Sequence, residues 1–441
     1  MLEQSPLLAA VELRKQQHLH RQRVVTSAVT KSSINIAAVA TDAICFCSND
    51  YLGLANHPQV IASMQQAAAT YGVGSTASPL ISGYKKIHQQ FEEEFANFVG
   101  MERALLFSSG YLANIGAITA AVGRSDLVYQ DKENHASLID AVILARAKSL
   151  RYRDVAGLQQ QISQQQISQQ QISQQQATHA AAQQLIITEG VFSMSGRAAD
   201  LEQLLAVAAQ ADAWLLVDEA HGMGVVGDTG AGSLADILAK VKDASKHSRV
   251  TQLSHGQNSP QQSRQKQSLN IQEGAWRLPR EIILTAPLGK AFGCAGGVVA
   301  GSSAYIEHCI QQARSYIYST GIAPALAAAN LTSLHILREE TWRRRNLAER
   351  IQQFKTGSAA CGLTVLPSNT PVQYVVIGDE KIALQISEQL LSKKIWVRAM
   401  RYPTVSMGKA GLRISITALH HASDINYLLE QLYQLYSGFR C

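Results

Sequence analysis

The sequence predicts an α/β protein whose central sheet is mostly parallel. Apolar runs of β-type residues alternate with helical patterns, and such unbroken runs are typical of parallel strands covered on both faces. The runs are residues 104–107, 126–129, 184–188, 214–218, 281–286 and 296–301. Hydrophobic residues make up 46% of the chain and charged residues 16%, a balance that indicates a globular protein rather than a disordered one. The length of 441 residues suits two or three domains.

We expect residues 1–45 to form an arm that begins with a basic amphipathic helix and continues into a variable segment. A large domain is predicted over 46–322. It begins with a helix from Pro58 to Tyr71 and a second from His88 to Val99, and then contains the alternating strands and helices. A small α+β domain is predicted over 323–441, with strands PVQYVVIG, IWVRAMR and GLRISIT and a closing helix.

Two polar stretches interrupt this order, at about 158–180 and 244–275. The first contains three tandem copies of QQQIS, whose period of five residues matches neither a helix nor a strand. Both stretches are predicted to be exposed insertions, with an interaction tract as the alternative. For residues 159–176 we expect either a poorly ordered loop or a solvent-exposed helical extension, because the repeats contain few large apolar side chains.

Charge and cysteine usage exclude several classes of protein. The net charge of +6 is mild, and no block of basic residues with interleaved aromatics indicates a nucleic-acid partner. The cysteines lack the spacing of a metal site, so we expect reduced thiols and no metal. No apolar run approaches the ~18 residues of a membrane helix, and the amino terminus lacks a signal-peptide core. We therefore expect a soluble, cytoplasmic protein without a membrane partner.

Lys290 lies in the stretch that carries the chemistry. Lys290 follows an apolar run and lies in a turn of small residues, LGKAFGCAGG. The last apolar run comes after this turn. A poorly hydrated lysine is partly neutral and can attack an aldehyde, whereas a solvated loop lysine cannot do so as readily.

Other polar residues follow the apolar runs, where parallel sheets bind ligands. Asp218 ends WLLVD and is followed by His221 in a glycine-rich turn. A buried carboxylate needs a cationic partner, and the protonated ring nitrogen of pyridoxal phosphate is one such partner. A structural Asp–His pair is the alternative.

A series of motifs occurs in one order over nearly the whole chain: SNDYLGL, GVGS, SSGYLAN, ENHASL, TEGVFSM, VDEAHGMG, LGKAFG, YST and LRISIT. This series closely resembles the α-oxoamine synthases, pyridoxal-phosphate enzymes of the type I, aspartate-aminotransferase-like fold. The resemblance implies a mostly parallel seven-stranded sheet, a smaller α+β carboxyl-terminal domain, a homodimer with shared sites and pyridoxal 5′-phosphate as cofactor.

The same resemblance assigns the cofactor site. Lys290 would bind the aldehyde and act as general base, Asp218 would keep the pyridine nitrogen protonated, and His135 would stack on the ring and contact the substrate. The phosphate would lie at the amino terminus of the helix after ALLFSS, because helix amino termini bind anions. The remaining implied contacts are Ser193 and His221 at the ring hydroxyl and Gly110, Tyr111, Thr285, Ser319 and Thr320 at the phosphate, the last two from a neighbouring subunit.

The implied activity is the decarboxylative condensation of an amino acid with an acyl thioester. The motifs most resemble the branch that joins L-alanine to a pimeloyl thioester in biotin biosynthesis, with either acyl carrier protein or coenzyme A as carrier. Asn49 and Arg413 would bind the alanine carboxylate, the arginine by a bidentate contact. Thr404 and Arg21, which the sequence does not separate from Arg23, would bind the acyl substrate.

Two alternatives remain open from the sequence. Another α-oxoamine synthase, such as glycine C-acetyltransferase or 5-aminolevulinate synthase, would use glycine. A non-catalytic scaffold subunit would use the Gln-rich tract for assembly, although it would not need Lys290, Asp218 and His135 together.

The chain departs from the family pattern in two motifs as well as in the two insertions. The loop after Gly72 reads Gly74-Ser75-Thr76-Ala77 and lacks the paired glycines common in the family. The phosphate-binding threonine usually lies three residues before the lysine, where this chain has Pro287, with Thr285 two residues earlier. Both departures concern local loop geometry.

Overall fold

The computed structural model describes residues 5–17, 19–21, 23–30, 32–36, 41–173, 182–241 and 277–438. These residues divide into two compact units. The larger unit contains Leu52–Ser193 and Arg197–Arg344, and the smaller contains Met1–Tyr51, Met194–Gly196 and Arg345–Cys441. The predicted insertion at 244–275 and the end of the first insertion lie outside the described residues.

The elements are named in chain order. The strands are β1 (Thr26–Thr30), β2 (Ser33–Ile36), β3 (Thr41–Cys45), β4 (Arg103–Phe107), β5 (Leu127–Asp131), β6 (Lys148–Tyr152), β7 (Gln184–Glu189), β8 (Trp214–Asp218), β9 (Ile282–Pro287), β10 (Gly297–Gly301), β11 (Val372–Gly378), β12 (Ile395–Trp396), β13 (Arg398–Met400) and β14 (Ala410–Ser415). The helices are α1 (Pro6–Gln16), α2 (Pro58–Tyr71), α3 (Lys86–Val99), α4 (Gly110–Ala121), α5 (Ala136–Ala145), α6 (Val155–Ser173), α7 (Leu201–Gln210), α8 (233–241), α9 (Ser303–Gln312), α10 (Arg314–Ile317), α11 (Pro324–Glu339), α12 (Trp342–Ala360), α13 (Glu380–Ser392) and α14 (Ala422–Gly438), with a π-helical turn at Pro79–Gly83.

The larger unit is built on a seven-stranded sheet in the order β4-β10-β9-β8-β7-β5-β6. Strands β9, β8, β7, β5 and β6 pair in parallel, which confirms the predicted mostly parallel sheet. The run at 296–301 was expected to be parallel, and this expectation is wrong because β10 pairs antiparallel with both β9 and β4. The reason is the short turn between β9 and β10, since a parallel return needs a crossover of a dozen or more residues.

Strand β6 is an element that the apolar runs did not predict. Its sequence, KSLRY, is mostly exposed or half-buried, and only Tyr152 is buried. The strand lies at the edge of the sheet, where one side lacks a neighbour and a polar sequence is common.

Helix α4 packs across the sheet and places the residues that follow β4. Its alanines at 113, 117 and 121 and Ile118 lie in one buried cluster with residues of β8, β9 and β10. Small side chains on the helix allow a close approach to the strands, and burial of each Leu, Ile or Val in the cluster contributes roughly 1.5–3 kcal/mol. The amino terminus of α4 is thereby held at one edge of the sheet.

The smaller unit contains a four-stranded sheet, β1-β2-β3-β12, and a three-stranded sheet, β11-β14-β13. The predicted carboxyl-terminal strands and closing helix are confirmed. Helix α1 also forms as predicted, and it has no buried residue. The segment after it is more regular than the expected variable arm, because β1 and β2 pair antiparallel and β2 continues the sheet onto β3.

The QQQIS repeats form the second half of α6, so the helical alternative is the one observed as far as Ser173. Glutamine has a good helix propensity, which allows a helix without a continuous apolar face. The first repeat differs from the second in its packing: Ile162 is 5% exposed, whereas Ile167 is 56% exposed. The first repeat therefore contributes to the core, which the expectation of a wholly exposed extension did not include.

Ile162→Ala is expected to lower the free energy of unfolding by about 2–4 kcal/mol, because it removes a buried branched side chain and leaves a cavity. Ile167→Ala is the matched control, since the same residue occupies the same place in an identical repeat, and it should change stability by less than about 0.5 kcal/mol. Urea unfolding of the two variants measures both values. Equal effects would contradict the different roles of the two repeats.

Among the helices that the structure describes, none combines the length and the hydropathy that a bilayer-spanning segment needs.

Candidate functional site

Asp218 lies at the carboxyl end of β8, where the sequence predicted it, and is 2% exposed. Its Oδ2 accepts a hydrogen bond of 2.7 Å from Nδ2 of Asn114, and its Oδ1 accepts one of 2.9 Å from the backbone N–H of Ala220. Both donors orient the carboxyl group. Asp218 is therefore a buried carboxyl group held in one orientation at the end of a central strand.

Asn114 connects Asp218 to His135. The same Nδ2 group also donates to Oγ of Ser137 at 2.9 Å. This Oγ lies 2.8 Å from Nδ1 of His135. The backbone N–H of Ser137 also donates to this Nδ1, at 3.2 Å. The amide and the hydroxyl of Ser137 therefore both hold Nδ1 of the ring in place. Three elements, α4, β8 and the start of α5, are joined by this network.

His135 is itself an exposed residue at the amino cap of α5. Its ring is held by Ser137, so its orientation is fixed although its surface is accessible to a ligand. This is the arrangement that a stacking role requires. His221 lies in the turn that follows β8 and is 4% exposed. Glu219 closes that turn by accepting backbone hydrogen bonds from Gly222 and Met223.

Lys290 lies in the turn after β9 and is half-buried. The backbone carbonyl of Lys290 accepts a hydrogen bond of 2.8 Å from Gly293. Gly293 has a φ of +66°, and a Cβ atom there would lie 2.3 Å from the backbone nitrogen of Ala55. A glycine is required at this position, because any side chain would clash with the backbone of the SNDYLGL segment.

Glu189 lies beside Asp218 in the sheet, since the two residues are register partners on β7 and β8. It is 1% exposed, and its Oε2 accepts a hydrogen bond of 3.1 Å from the backbone N–H of Ser193. Burial, followed by the negative charge of Asp218, raises the pKa of Glu189 to about 8, while Ser193 and Lys290 act in the opposite direction. Glu189 thus interacts electrostatically with both Asp218 and Lys290.

The amino terminus of α4 is the place where the sequence predicted an anion to bind. Ser109 caps the helix by accepting a hydrogen bond from the amide of Leu112, and the helix begins at Gly110. A Cβ atom at Gly110 would lie 2.4 Å from the side chain of Pro287, and one at Gly297 would lie 2.5 Å from the Cα of Gly110. The helix terminus thus approaches the ends of β9 and β10 as closely as glycines allow.

Tyr111 contributes its backbone N–H to the same helix terminus. Its side chain is directed elsewhere, because its hydroxyl donates a hydrogen bond to the carboxylate of Asp140. The predicted role of Tyr111 rests on its amide and not on its phenol.

The position three residues before the lysine, where the family pattern has a threonine, has no donor in this chain. Pro287 packs there against Gly110. Thr285 is fully buried within β9 as the register partner of Asp218, and its hydroxyl oxygen has no hydrogen-bond partner among the described residues. Its assignment to the phosphate stays a prediction.

Ser319 is half-buried and Thr320 is exposed, and both precede a firmly held segment. The carbonyl oxygen of Ile322 accepts hydrogen bonds from Oγ of Ser75 at 2.6 Å and from Nε2 of His88 at 2.8 Å.

Thr76 has a φ of +66°, so the loop that lacks the family's paired glycines still adopts the backbone conformation that glycine favours.

Arg413 and Asn49 contact each other within the smaller unit. Arg413 lies on β14 and is 8% exposed, and its guanidinium donates to Oδ1 of Asn49 at 3.2 Å and to Oγ of Ser415 at 2.8 Å. The hydroxyl of Tyr51 donates to the same Asn49 oxygen at 3.2 Å. The structure therefore brings together the two residues that were predicted to bind a carboxylate.

The two predicted acyl-binding residues lie on the surface of the smaller unit. Arg21 is an exposed residue outside regular structure, and Thr404 is exposed in a turn closed by the Arg401 carbonyl. Their roles in binding the acyl substrate stay predictions.

The residues of the larger unit fit pyridoxal phosphate. A fixed buried carboxyl group, Asp218, suits a protonated ring nitrogen, and Lys290 suits an aldehyde. The helix terminus at Gly110 suits a phosphate, and the hydroxyl of Thr285 and Oε1 of Glu189 are buried atoms whose hydrogen-bonding capacity is unused among the described residues. Within the same ranges, no group of three or more His, Cys, Asp or Glu side chains is arranged to bind a metal.

Sequence reasoning had not singled out Asn114, Ser137 or Glu189 individually. All three lie inside recognised motifs, SSGYLAN, ENHASL and TEGVFSM. A polar residue inside an otherwise apolar helix, as Asn114 is in GYLANIGAITAA, was the available signal.

Comparison with known proteins identifies the family. Residues 41–432 match the family model described as aminotransferase class I and II. The 8-amino-7-oxononanoate synthase of Saccharophagus degradans is 41% identical over 431 residues, which cover 97% of this chain and 96% of that protein. The synthase of the same name from Nitrosococcus oceani is 42% identical over 394 residues, which cover 89% and 91% of the two chains.

Solved structures agree with this result. The structure of 8-amino-7-oxononanoate synthase from Francisella tularensis superposes with a TM-score of 0.67 at 28% identity and covers 90% of this chain and 98% of its own. Serine palmitoyltransferase from S. paucimobilis has a TM-score of 0.80 at 24% identity, covering 98% and 97%, which shows the shared fold. The chain therefore belongs to the aminotransferase class I and II family and, within it, to the 8-amino-7-oxononanoate synthases.

Proposed function

We propose that this protein is a pyridoxal-phosphate-dependent acyltransferase of biotin biosynthesis. It condenses L-alanine with a pimeloyl thioester and forms 8-amino-7-oxononanoate, carbon dioxide and the free thiol carrier. The observation that carries the proposal is the hydrogen-bonded chain from Asp218 through Asn114 and Ser137 to His135, because it fixes a carboxyl group and an imidazole in the unit that contains Lys290. The names of the relatives give the product, 8-amino-7-oxononanoate.

Residues of the larger unit hold the cofactor. Lys290 would bind its aldehyde carbon, Asp218 would accept the hydrogen bond of its ring nitrogen, and His135 would stack on its ring. The amides of Gly110 and Tyr111 would bind its phosphate. When bound, pyridoxal phosphate supplies an electron-withdrawing ring that stabilises negative charge on the α-carbon of the amino acid.

The remaining contacts to the cofactor are hydrogen bonds from side chains. Ser193 and His221 donate to the ring hydroxyl, and Thr285, whose hydroxyl is otherwise unused, donates toward the phosphate. In the chemical steps, Nζ of Lys290, as the free amine, would remove the α-proton of alanine as general base and so create the carbon nucleophile that attacks the thioester. The carrier would leave from the tetrahedral centre as a thiolate, which takes up a proton. The alanine carboxylate would leave as carbon dioxide, and the electron pair that remains on the α-carbon would take up a second proton.

Residues of the smaller unit bind the substrates. Arg413 forms a bidentate ion pair with the alanine carboxylate, and Asn49 orients the guanidinium through its Oδ1. Arg21 and Thr404 bind the pimeloyl thioester. The carrier is acyl carrier protein or coenzyme A, and the mild positive charge of the chain suits either anionic carrier.

A homodimer completes the site, with Ser319 and Thr320 reaching the phosphate bound by the other subunit. Tyr318, next to these residues, is 71% exposed, and Val73 (89%) and Ile81 (81%) are exposed in the loop whose Ser75 hydrogen-bonds to Ile322. Exposed apolar groups of this kind mark interaction surfaces. Light scattering should report twice the mass of one chain, and a fully active monomer would contradict this assembly.

Substrate competition tests the proposal. The purified protein is supplied with alanine or glycine against pimeloyl-CoA, pimeloyl acyl carrier protein or acetyl-CoA, and products are identified by mass. Alanine with a pimeloyl thioester should be turned over fastest and should yield 8-amino-7-oxononanoate. Faster turnover of glycine with acetyl-CoA would identify a glycine C-acetyltransferase instead, and no turnover of any pair would support a non-catalytic subunit.

A further inference from the structure

Cys45 and Cys47 form a pair of thiols on one side of the chain. Cys45 is the last residue of β3, and Cys47 follows it by two positions. Phe46 between them is fully buried, and its ring stacks on that of His420 with the centroids 4.2 Å apart. Because the side chains of an extended chain alternate in direction, the two cysteines point away from this stack. Their side chains form a hydrogen bond with each other.

The two thiols differ in acidity. The hydrogen bond with Cys47, opposed by burial, lowers the pKa of Cys45 to about 7. Burial, followed by the interaction with Cys45, raises the pKa of Cys47. Oxidation sites of cysteine combine one acidic thiol, which attacks as the thiolate, with a second thiol beside it. Cys45 and Cys47 match these two roles.

The exposure of the pair indicates which oxidant it can meet. Cys45 is 8% exposed and Cys47 is half-buried. This exposure suits a small molecule rather than a thiol of another protein, which would have to bring its own backbone up to the sulfur. A peroxide is a small oxidant that converts a thiolate to a sulfenic acid.

A disulfide between these residues would draw the chain together at Phe46. Two residues of a strand advance by roughly 6.6 Å, and disulfides join Cα atoms that are about 4.4–6.8 Å apart, most often near 5.5–6 Å. The bond can therefore form, but it shortens the segment. Phe46 anchors that segment by donating to the carbonyl of Trp396 at 2.9 Å and accepting from the amide of Ser415 at 2.8 Å, so these contacts must adjust.

The shortened segment leads directly into the proposed carboxylate site, and all of these residues belong to the smaller unit. Asn49 lies two residues after Cys47 and accepts a hydrogen bond of 3.2 Å from Arg413. Cys47 is itself close enough to Arg413 for the positive charge to oppose the rise in its pKa. Its thiol also donates to the carbonyl of Trp396 at 3.2 Å, a contact that a disulfide would remove.

We propose that Cys45 and Cys47 are a reversible oxidation site, where hydrogen peroxide converts the two thiols to a disulfide and thereby weakens the binding of the amino-acid carboxylate. The Cys45 thiolate attacks one oxygen of the peroxide, the O–O bond breaks, and the departing hydroxide takes up a proton to become water. The sulfur of Cys47 then attacks the sulfenic sulfur of Cys45, the S–O bond breaks, and the second hydroxide takes up the Cys47 proton. Two thiols and one peroxide thus give one disulfide and two waters.

The disulfide itself depends on the thiol pair alone, whereas its effect on alanine deepens the proposed function and rests on it. The experiment therefore treats the full-length, pyridoxal-phosphate-loaded protein with hydrogen peroxide and has two readouts. In the first, free thiols are alkylated and the peptide that contains both cysteines is analysed by mass spectrometry. It should be unalkylated and two hydrogen atoms lighter than its reduced form, and dithiothreitol should reverse the change.

The second readout is steady-state kinetics of the same samples. The KM for alanine should rise about tenfold or more after oxidation, because a hydrogen bond to the charged group of Arg413 is disturbed. The kcat and the KM for the pimeloyl thioester should change by less than about twofold, since the loss concerns one substrate contact.

C45S and C47S are the test variants, and each removes one thiol while keeping a hydroxyl in its place. Peroxide should leave the alanine KM of both variants unchanged, and either variant is sufficient if the other does not fold. C361S is the matched control, because Cys361 is a half-buried cysteine of the same unit that directly follows α12. It should respond to peroxide as the wild type does.

Three results would overturn the proposal. These are alkylation of both cysteines after peroxide treatment, a disulfide that leaves the alanine KM unchanged, and an equal rise of this KM in the wild type and in the two test variants. Failure of the proposed function is separate. It would appear as no product from alanine and pimeloyl thioesters in the untreated protein, while the peptide masses would still decide whether the disulfide forms.

Discussion

Lys290→Ala should lower turnover by about 10³-fold or more, because the substitution removes both the covalent attachment of the cofactor and the general base. Borohydride reduction of the wild type should fix a pyridoxyl group on the peptide that contains Lys290, and peptide mass spectrometry detects it. The variant should still bind the cofactor through its phosphate and ring contacts, without the label.

Lys132→Ala is the control for this experiment, since Lys132 is an exposed lysine of the same unit. It should retain both the label at 290 and full turnover. A pyridoxyl group on any lysine other than Lys290 in the wild type would remove the basis of the proposed site.

Asp218→Asn should lower kcat/KM by about 10²–10⁴-fold, because the loss of one partner of a buried ion pair costs roughly 3–5 kcal/mol and each 1.36 kcal/mol corresponds to a factor of ten. The neutral amide no longer holds the proton of the ring nitrogen, and its NH₂ group competes with the Nδ2 donor of Asn114. Steady-state kinetics with alanine and a pimeloyl thioester measure the loss.

Asp131→Asn is the matched control for Asp218. Asp131 is also buried at the carboxyl end of a strand, and burial raises its pKa to about 6, but it lies 3.8 Å from Arg197 at the end of β5. This variant should lower kcat/KM by less than about tenfold. An equal loss in both variants would show that any buried carboxyl at this edge of the sheet matters as much as Asp218.

Site residues that directly follow an apolar run could be predicted from the sequence. Site residues that lie on other elements and contact them only in the folded protein could not. Asp218 and Lys290 could be placed because strand ends are visible in the order of residues. Asn114 could not, because its contact with Asp218 joins positions 104 residues apart and depends on how α4 packs on the sheet. Glu189 could be located at a strand end, but the rise in its pKa comes from burial and from Asp218 on the neighbouring strand.

The direction of β10 shows a similar limit. Its glycine and valine pattern predicts a buried strand correctly, yet both orientations bury the same side chains. The orientation is decided by the length of the connection from β9, which becomes evident only once the exact ends of both strands are known. The helical state of the Gln repeats was likewise left open, because a five-residue period gives no preferred face.

The close approach of Gly110, Gly297 and Pro287 has a consequence for attempts to change the substrate of this enzyme by directed evolution. Random libraries that include Gly110 or Gly297 will return mostly inactive clones, because even a methyl group at either position would overlap neighbouring atoms at 2.4–2.5 Å. Screening effort is better directed at Thr404 and Arg21, the proposed acyl-binding residues, which are exposed. The close packing at the start of α4 thus leaves fewer permitted substitutions there than at exposed positions.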